Sequence, residues 1–248
     1  YTKEGTPHAF FYGADGFVLP RRPEGAPAGA WAKCINNRGT IGGLAKSTEF
    51  AYMFGFAPVI WVDGQPQVLP VLDLGFAPPP GGAVNDINDA GQIVGHSGGT
   101  FEVDWSIMYF CLHTHATLWE KGQPIDLGAL EGHPSSIAFG INNAGVVVGH
   151  SGVASSGASR GFVWTKKTGM VELAMPSGWL SSWAVAINDR GDIVGGVSDG
   201  GDPQFGIPSE YGVAPGAARL NHAVLWTNGQ CIDLQDLVPA DSPWNLHT

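Results

Sequence analysis

The side chains best suited to chemistry are concentrated in a few stretches of the 248-residue chain. Residues 101–113 hold Glu102, Asp104, Trp105, Tyr109 and His113, and residues 50–56 hold Tyr52 and Phe54 among further aromatics. Tyr211 closes a third stretch, and Trp179 and Trp183 stand together in a fourth. Aromatic faces stack on sugar rings and other planar ligands, while carboxylates or an imidazole at the rim add directional polar contacts. These residues are therefore the candidate ligand-binding set. The competing reading is that the aromatics bury one another as a lid.

A catalytic assignment is harder to draw. There is no nucleophile elbow, phosphate-binding loop, His-Glu-x-x-His helix or Cys-x-x-Cys pair. Glu49, Asp86, Glu102, Asp104 and His113 would have to converge from separate loops, at the carboxylate separation that glycoside chemistry requires. His96 and His150 occupy equivalent positions with His113 nearby, but they lie on different repeats, which argues against joint metal ligation. Asp199-Gly200-Gly201-Asp202 lacks a full calcium ligand series. Neither a metal nor a cofactor is expected.

The elements that must position these residues are repeats. Ile141-Asn142-Asn143-Ala144-Gly145-Val146-Val147-Val148-Gly149 has counterparts beginning at Ile35, Ile87 and Ile187, with Asn spacings of 52, 54 and 46 residues. A second phrase runs from His115 to Gly128 and recurs over residues 8–19, 57–69, 161–173 and 222–234. A period of this size decides fold class before any other argument. In the first phrase, Asn can satisfy turn amides while Gly supplies positive φ, between β-branched runs. The second phrase has Thr117-Leu118-Trp119 and Ile125-Asp126-Leu127 on either side of Lys121-Gly122. One unit therefore holds four short strands, A to D, as an Asn hairpin followed by a Trp hairpin.

This pattern predicts an all-β fold, a single β-propeller domain of four-stranded antiparallel blades over residues 1–248. Repeat units fall at about 1–43, 44–95, 96–149, 150–195 and 196–248. Five Trp hairpins but only four Asn hairpins are present, so one inner hairpin is lacking between residue 248 and residue 1. The expectation is five blades, with one incomplete or closed by the two termini. The lack of an initiator Met and of a signal peptide fits a mature or excised fragment. Recurring residues usually serve the repeat itself. Trp61, Trp119, Trp164 and Trp226 are expected in the core, and His8, His115 and His222 in bonds between strands. Asp86 breaks the series, because its equivalents are Cys34, Gly140 and Ala186; with Asn85 it could face the channel and bind a polar ligand.

The alternation of Ile-Asn-x-x-Gly-x-Ile-Val-Gly with His-Ala-x-x-Trp…Asp-Leu-Gly resembles bacterial extracellular repeats named for their His-Ala-Phe tripeptide, present here as His8-Ala9-Phe10. The resemblance covers nearly the whole chain. It departs from the pattern at Ala57-Pro58, Arg160-Gly161 and Gly42-Gly43. It implies a secreted or surface-exposed β-repeat protein and brings no catalytic residues with it.

Composition narrows the partners. The net charge is −10 with only 14% charged residues, which argues against phosphate-backbone binding and hence against nucleic acid. No apolar run reaches the length of a membrane span. Thirty-seven Gly and eighteen Pro indicate many turns, since 44% of residues are hydrophobic. Cys34, Cys111 and Cys231 cannot all pair within the chain; buried free thiols or one disulfide remain open. The B–C connections 44–56, 97–114, 152–160 and 196–221 exceed what hairpins need, and such connections commonly carry function. The expected function is an extracellular binding or interaction module, with a small molecule or glycan as ligand. The alternative is a propeller hydrolase or lyase acting on a carbohydrate in the axial cleft.

Overall fold

The computed structural model describes residues 11–13, 16–18, 21, 23–24, 29–46, 56–75, 81–104, 109–153, 158–199, 221–239 and 241–242, with side chains described except at 11–13, 16–18, 99–104, 109–113 and 153. The described residues form β-strands and one 3-10 turn, Leu234–Leu237. No helix among them is long and apolar enough to cross a membrane.

Four antiparallel four-stranded sheets follow one another along the chain. The first comprises β3 (Ala30–Ile35), β4 (Ile41–Lys46), β5 (Phe56–Val62) and β6 (Gln65–Val68). The second comprises β7 (Gly82–Ile87), β8 (Ile93–Asp104), β9 (Tyr109–Glu120) and β10 (Gln123–Asp126). The third holds β11 (Ser135–Ile141), β12 (Val147–Val153), β13 (Ala158–Thr165) and β14 (Gly169–Glu172). The fourth holds β15 (Ser181–Ile187), β16 (Ile193–Ser198), β17 (Asn221–Thr227) and β18 (Gln230–Asp233). A separate hairpin pairs β1 (Phe11–Gly13) with β2 (Gly16–Val18). Each sheet is a simple meander, an Asn hairpin and then a Trp hairpin, as the two phrases predict. The unit boundaries drawn from the sequence fall inside the second strand of each sheet.

The turns form for the reasons read from the residues. Asn142 Oδ1 accepts the amides of Ala144 (3.1 Å) and Val146 (3.0 Å), while Gly145 takes φ 77°. Asn36 and Asn188 accept the corresponding pairs of amides. In three of the Trp hairpins both central residues are left-handed: Asp63-Gly64, Lys121-Gly122 and Asn228-Gly229. That is the type I′ geometry whose twist matches the flanking strands.

One feature of the four-stranded sheets was not read from the sequence. The inner strand carries a β-bulge at the same repeat position, between Ala32 and Cys34, Val84 and Asp86, Ala138 and Gly140, and Ala184 and Ala186. The bulge explains the glycine that ends Ile-Val-Gly. A Cβ on Gly43, Gly95, Gly149 or Gly195 would come 1.9–2.0 Å from a carbonyl oxygen of the bulged strand.

The chain divides into two compact units, residues 1–100 with 114–126, and residues 101–113 with 127–248. In the first, Ile60 and Leu69 pack with Val84, Ile87, Ile93 and Trp119, which joins two sheets face to face. In the second, Val148 and Leu173 pack with Ala184, Ile193, Val197, Val224 and Trp226. Trp61, Trp119 and Trp226 are buried, whereas Trp164 is only partly so. Each of the three buried indoles also donates its N–H backwards: to Arg21 O (2.8 Å), Pro70 O (2.7 Å) and Ala174 O (2.6 Å). These acceptors lie just after the last strand of the preceding hairpin, so the Trp buries apolar area and satisfies a connecting carbonyl at once.

The aromatic stretch of residues 97–114 is not simply a loop. β8 runs to Asp104 and β9 resumes at Tyr109, so most of it is a long hairpin. Phe101, Val103, Tyr109 and Phe110 are strand-prone types, and their β propensity extends the pairing.

Candidate functional site

The inner-strand bulges determine which candidates come together. Lys33, Asn85, Phe139 and Val185 are the residues at which the register shifts. A bulged residue is re-aimed out of the ladder, which is why bulges often stand beside functional sites. In the first unit, Lys33 Nζ donates to Asn85 Oδ1 at 2.8 Å, linking two neighbouring bulges. The next residue on each strand is Cys34 and Asp86, close enough for the carboxylate to act on the thiol. Burial, followed by that negative charge, pushes the Cys34 thiol up to about 12. Lys33 is exposed by surface area, yet desolvation of its ammonium lowers its pKa. Asp86 is partly buried and its Oδ1 accepts the amide of Ile87 at 2.8 Å, the local bond that competes with a ligand role. The result is one ammonium, one amide and one carboxylate on adjacent inner strands. It can offer donors and acceptors to a polar ligand, and its thiol stays protonated near neutrality.

Sequence reasoning singled out Asp86 and Asn85 but missed Lys33. The signal was available: aligning the four Asn phrases puts Lys33, Asn85, Phe139 and Val185 in one column that changes chemistry at every step. The column before it, Ala32/Val84/Ala138/Ala184, and the one two places after it, Ile35/Ile87/Ile141/Ile187, barely vary, whereas the column directly after it, Cys34/Asp86/Gly140/Ala186, varies as much.

The other candidates are placed as follows. Trp183 lies within β15, not in a connection; it is 8% exposed, and a Cβ on Gly196 would meet its ring at 2.5 Å. Trp179 packs against the core of the second unit, with its ring 4.5 Å from that of His222. Glu102 and Asp104 fall on β8, Tyr109 and His113 on β9, and for these only the backbone is described. Tyr52, Phe54, Trp105 and Tyr211 lie outside the described residues, as does Glu49. His150 is fully buried, with Phe139 edge-on at 5.1 Å. Among the described residues, no group of three or more His, Cys, Asp or Glu could hold a metal ion.

The repeated histidines form strand-to-strand pairs. His115 Nδ1 lies 2.9 Å from Asp126 Oδ2, and His222 Nδ1 pairs with Asp233 in the same way. In the third sheet Arg160 stands at the His position and Glu172 at the Asp position, 3.2 Å apart. In the first sheet the two positions are Ala57 and Val68. The partners change together, from His with Asp to Arg with Glu and to the apolar pair of Ala57 and Val68. His8 lies outside the described residues. Cys34 and Cys231 are free thiols.

No protein-family model matches the chain, and no curated protein matches it.

Proposed function

We propose that this chain is a β-propeller of four-stranded blades, of the kind implied by the His-Ala-Phe resemblance, acting as an extracellular or cell-surface binding module. Four meander sheets, the additional β1–β2 hairpin and the face-to-face packing within each unit support a blade arrangement. The observation that carries the functional part is the bulge column. The Ile and Gly positions of the Asn phrase repeat around it, while the bulge residues of the first unit become Lys33 and Asn85, and the next column varies with them, from Cys34 and Asp86 to Gly140 and Ala186. Variation at re-aimed positions and the residue beside them, on a scaffold whose Ile and Gly positions repeat, is how a repeat protein acquires a recognition site without disturbing its core. An ammonium, an amide and a carboxylate suit a ligand rich in hydroxyl groups, so carbohydrate is the proposed class.

The test is a glycan array probed with the intact chain and with Asp86→Ala, Lys33→Ala and Trp105→Ala. Binding lost in the first two variants supports the bulge site, and binding lost only with Trp105→Ala moves it to the aromatic stretch. A chain that binds no glycan removes carbohydrate as the ligand class.

A further inference from the structure

One position in the second strand of each sheet records what lies against that sheet. Gly42, Val94, Val148 and Val194 are equivalent residues of the Asn phrase. In the first unit Gly42 faces the following sheet, where a Cβ would come 2.5 Å from Val84 Cγ1. In the second unit Val148 is fully buried and clusters with Ala184, the counterpart of Val84. Val94 is also fully buried. Val194, in the fourth sheet, is 42% exposed. Beside it on β15, Val185 is 41% exposed and Ala186 is exposed as well. In the turn above, Asn142 Nδ2 reaches forward to Asn188 O at 3.1 Å; Asn188 Nδ2 donates to Asp192 Oδ2 in its own turn at 2.9 Å, as Asn88 Nδ2 does to Gln92 Oε1 at 2.8 Å.

We infer that this face of β15–β16 is a docking surface for one further inner hairpin, a two-stranded segment carrying the Asn phrase. The shape of the occupant is defined by the interface already formed one step earlier in the second unit. There β15 presents the small side chain of Ala184 to Val148, with its bulge backbone against Gly140. A hairpin of the same type would set its own small residue over Val194 and its Asn carbonyl within reach of the Asn188 amide. Placing the Asn phrase there continues the established interface by one repeat, the nearest-neighbour logic by which repeat arrays gain stability. An exposed β-branched patch on an otherwise repeating face is the kind that marks an interaction site. The inference does not depend on what the bulge column binds.

A synthetic peptide with the sequence of residues 135–153, fluorescently labelled, tests this by anisotropy against the whole chain. Saturable binding is expected, with about tenfold or greater weakening for Val194→Asp, since one valine side chain is buried against a charge. Val194 is exposed, so the variant should fold; circular dichroism checks this, and Val171→Asp, at an outer-strand residue 46% exposed, serves as a control with unchanged affinity. Absent binding, or equal affinity for Val194→Asp, overturns the inference. Sedimentation of the chain as a dimer that Val194→Asp makes monomeric also overturns it, because a second copy would then cover the face.

Discussion

The side-chain amide of Asn36 donates to the main-chain oxygen of Asn88, 52 residues further on, at 3.1 Å. The same bond joins Asn142 to Asn188. Alongside, Asn37 gives its backbone amide (3.0 Å) and its Nδ2 (2.8 Å) to Asp89, and Asn143 does the same to Asp189. The Asn turn is thus a local cap in all four phrases and, at Asn36 and Asn142, a sheet-to-sheet fastener as well; Asn88 and Asn188 give their Nδ2 to Gln92 and Asp192 of their own turns.

Asn142→Ala is expected to cost more than Asn188→Ala. Each loses two bonds to its Oδ1 and one from its Nδ2, but Asn142 is 5% exposed and its Nδ2 bond joins the next sheet, whereas Asn188 is exposed and its Nδ2 bonds Asp192 in its own turn. At roughly 1 kcal/mol per net hydrogen bond, the difference should be about 1 kcal/mol, because the bonds lost at Asn142 come from a buried side chain and those at Asn188 from an exposed one. Chemical denaturation of the two variants measures it.

Gly149→Ala should be among the most damaging small substitutions in the chain. Its Cβ would fall 2.0 Å from Ile137 O, which forces the bulge to move. A loss of about 3 kcal/mol or more is expected, in the range of backbone strain and core overpacking combined. Gly132→Ala, where a Cβ meets nothing within 4 Å, should cost much less although its φ is 78°. Thermal melts of the pair compare them.

The His–Asp pairs should be replaceable only as pairs. Asp233→Val alone leaves His222 Nδ1 without its carboxylate in a half-buried setting, at about 1–3 kcal/mol. The double variant His222→Ala/Asp233→Val copies the Ala57/Val68 combination of the first sheet and should recover most of that loss. A double-mutant cycle by urea unfolding reads the coupling.

Acid should weaken the fourth sheet through Asp192. Hydrogen bonds from Asn188, Thr227 and Arg190 hold its carboxyl down at about 2. Because the folded value lies below the unfolded one of about 3.9, its contribution is complete above that range and is lost as pH falls towards 2. The Tm gap between the wild type and Asp192→Leu should therefore be full at pH 6 and shrink steadily below pH 4.

Cys34 and Cys231 should resist alkylation in the folded protein. Burial, then Asp86, raises Cys34 to about 12; burial, then Asp233, raises Cys231 to about 11. Iodoacetamide at pH 8 should modify both far faster in denaturant, as read by peptide mass mapping. Asp86→Asn should speed native labelling of Cys34 severalfold, because a like charge is removed.

What the sequence determined by itself was local and periodic. Asn-x-x-Gly turns, β-branched runs and Trp hairpins recur at fixed spacing, and each depends on bonds within a few residues, so the all-β class and the A-to-D strand order could be read directly. Tertiary structure decided what depends on residues far apart in the chain. The bulge is invisible in the inner strand, because a register shift is defined only by the strand opposite; its trace was the invariant Gly, which the sequence offers without a reason. The strand character of residues 101–104 and 109–113 was missed because long connections and long hairpins share the same aromatic residues until pairing separates them. Lys33 entered the candidate site only once β3 lay beside β7, since proximity across 52 residues is a property of packing and not of spacing.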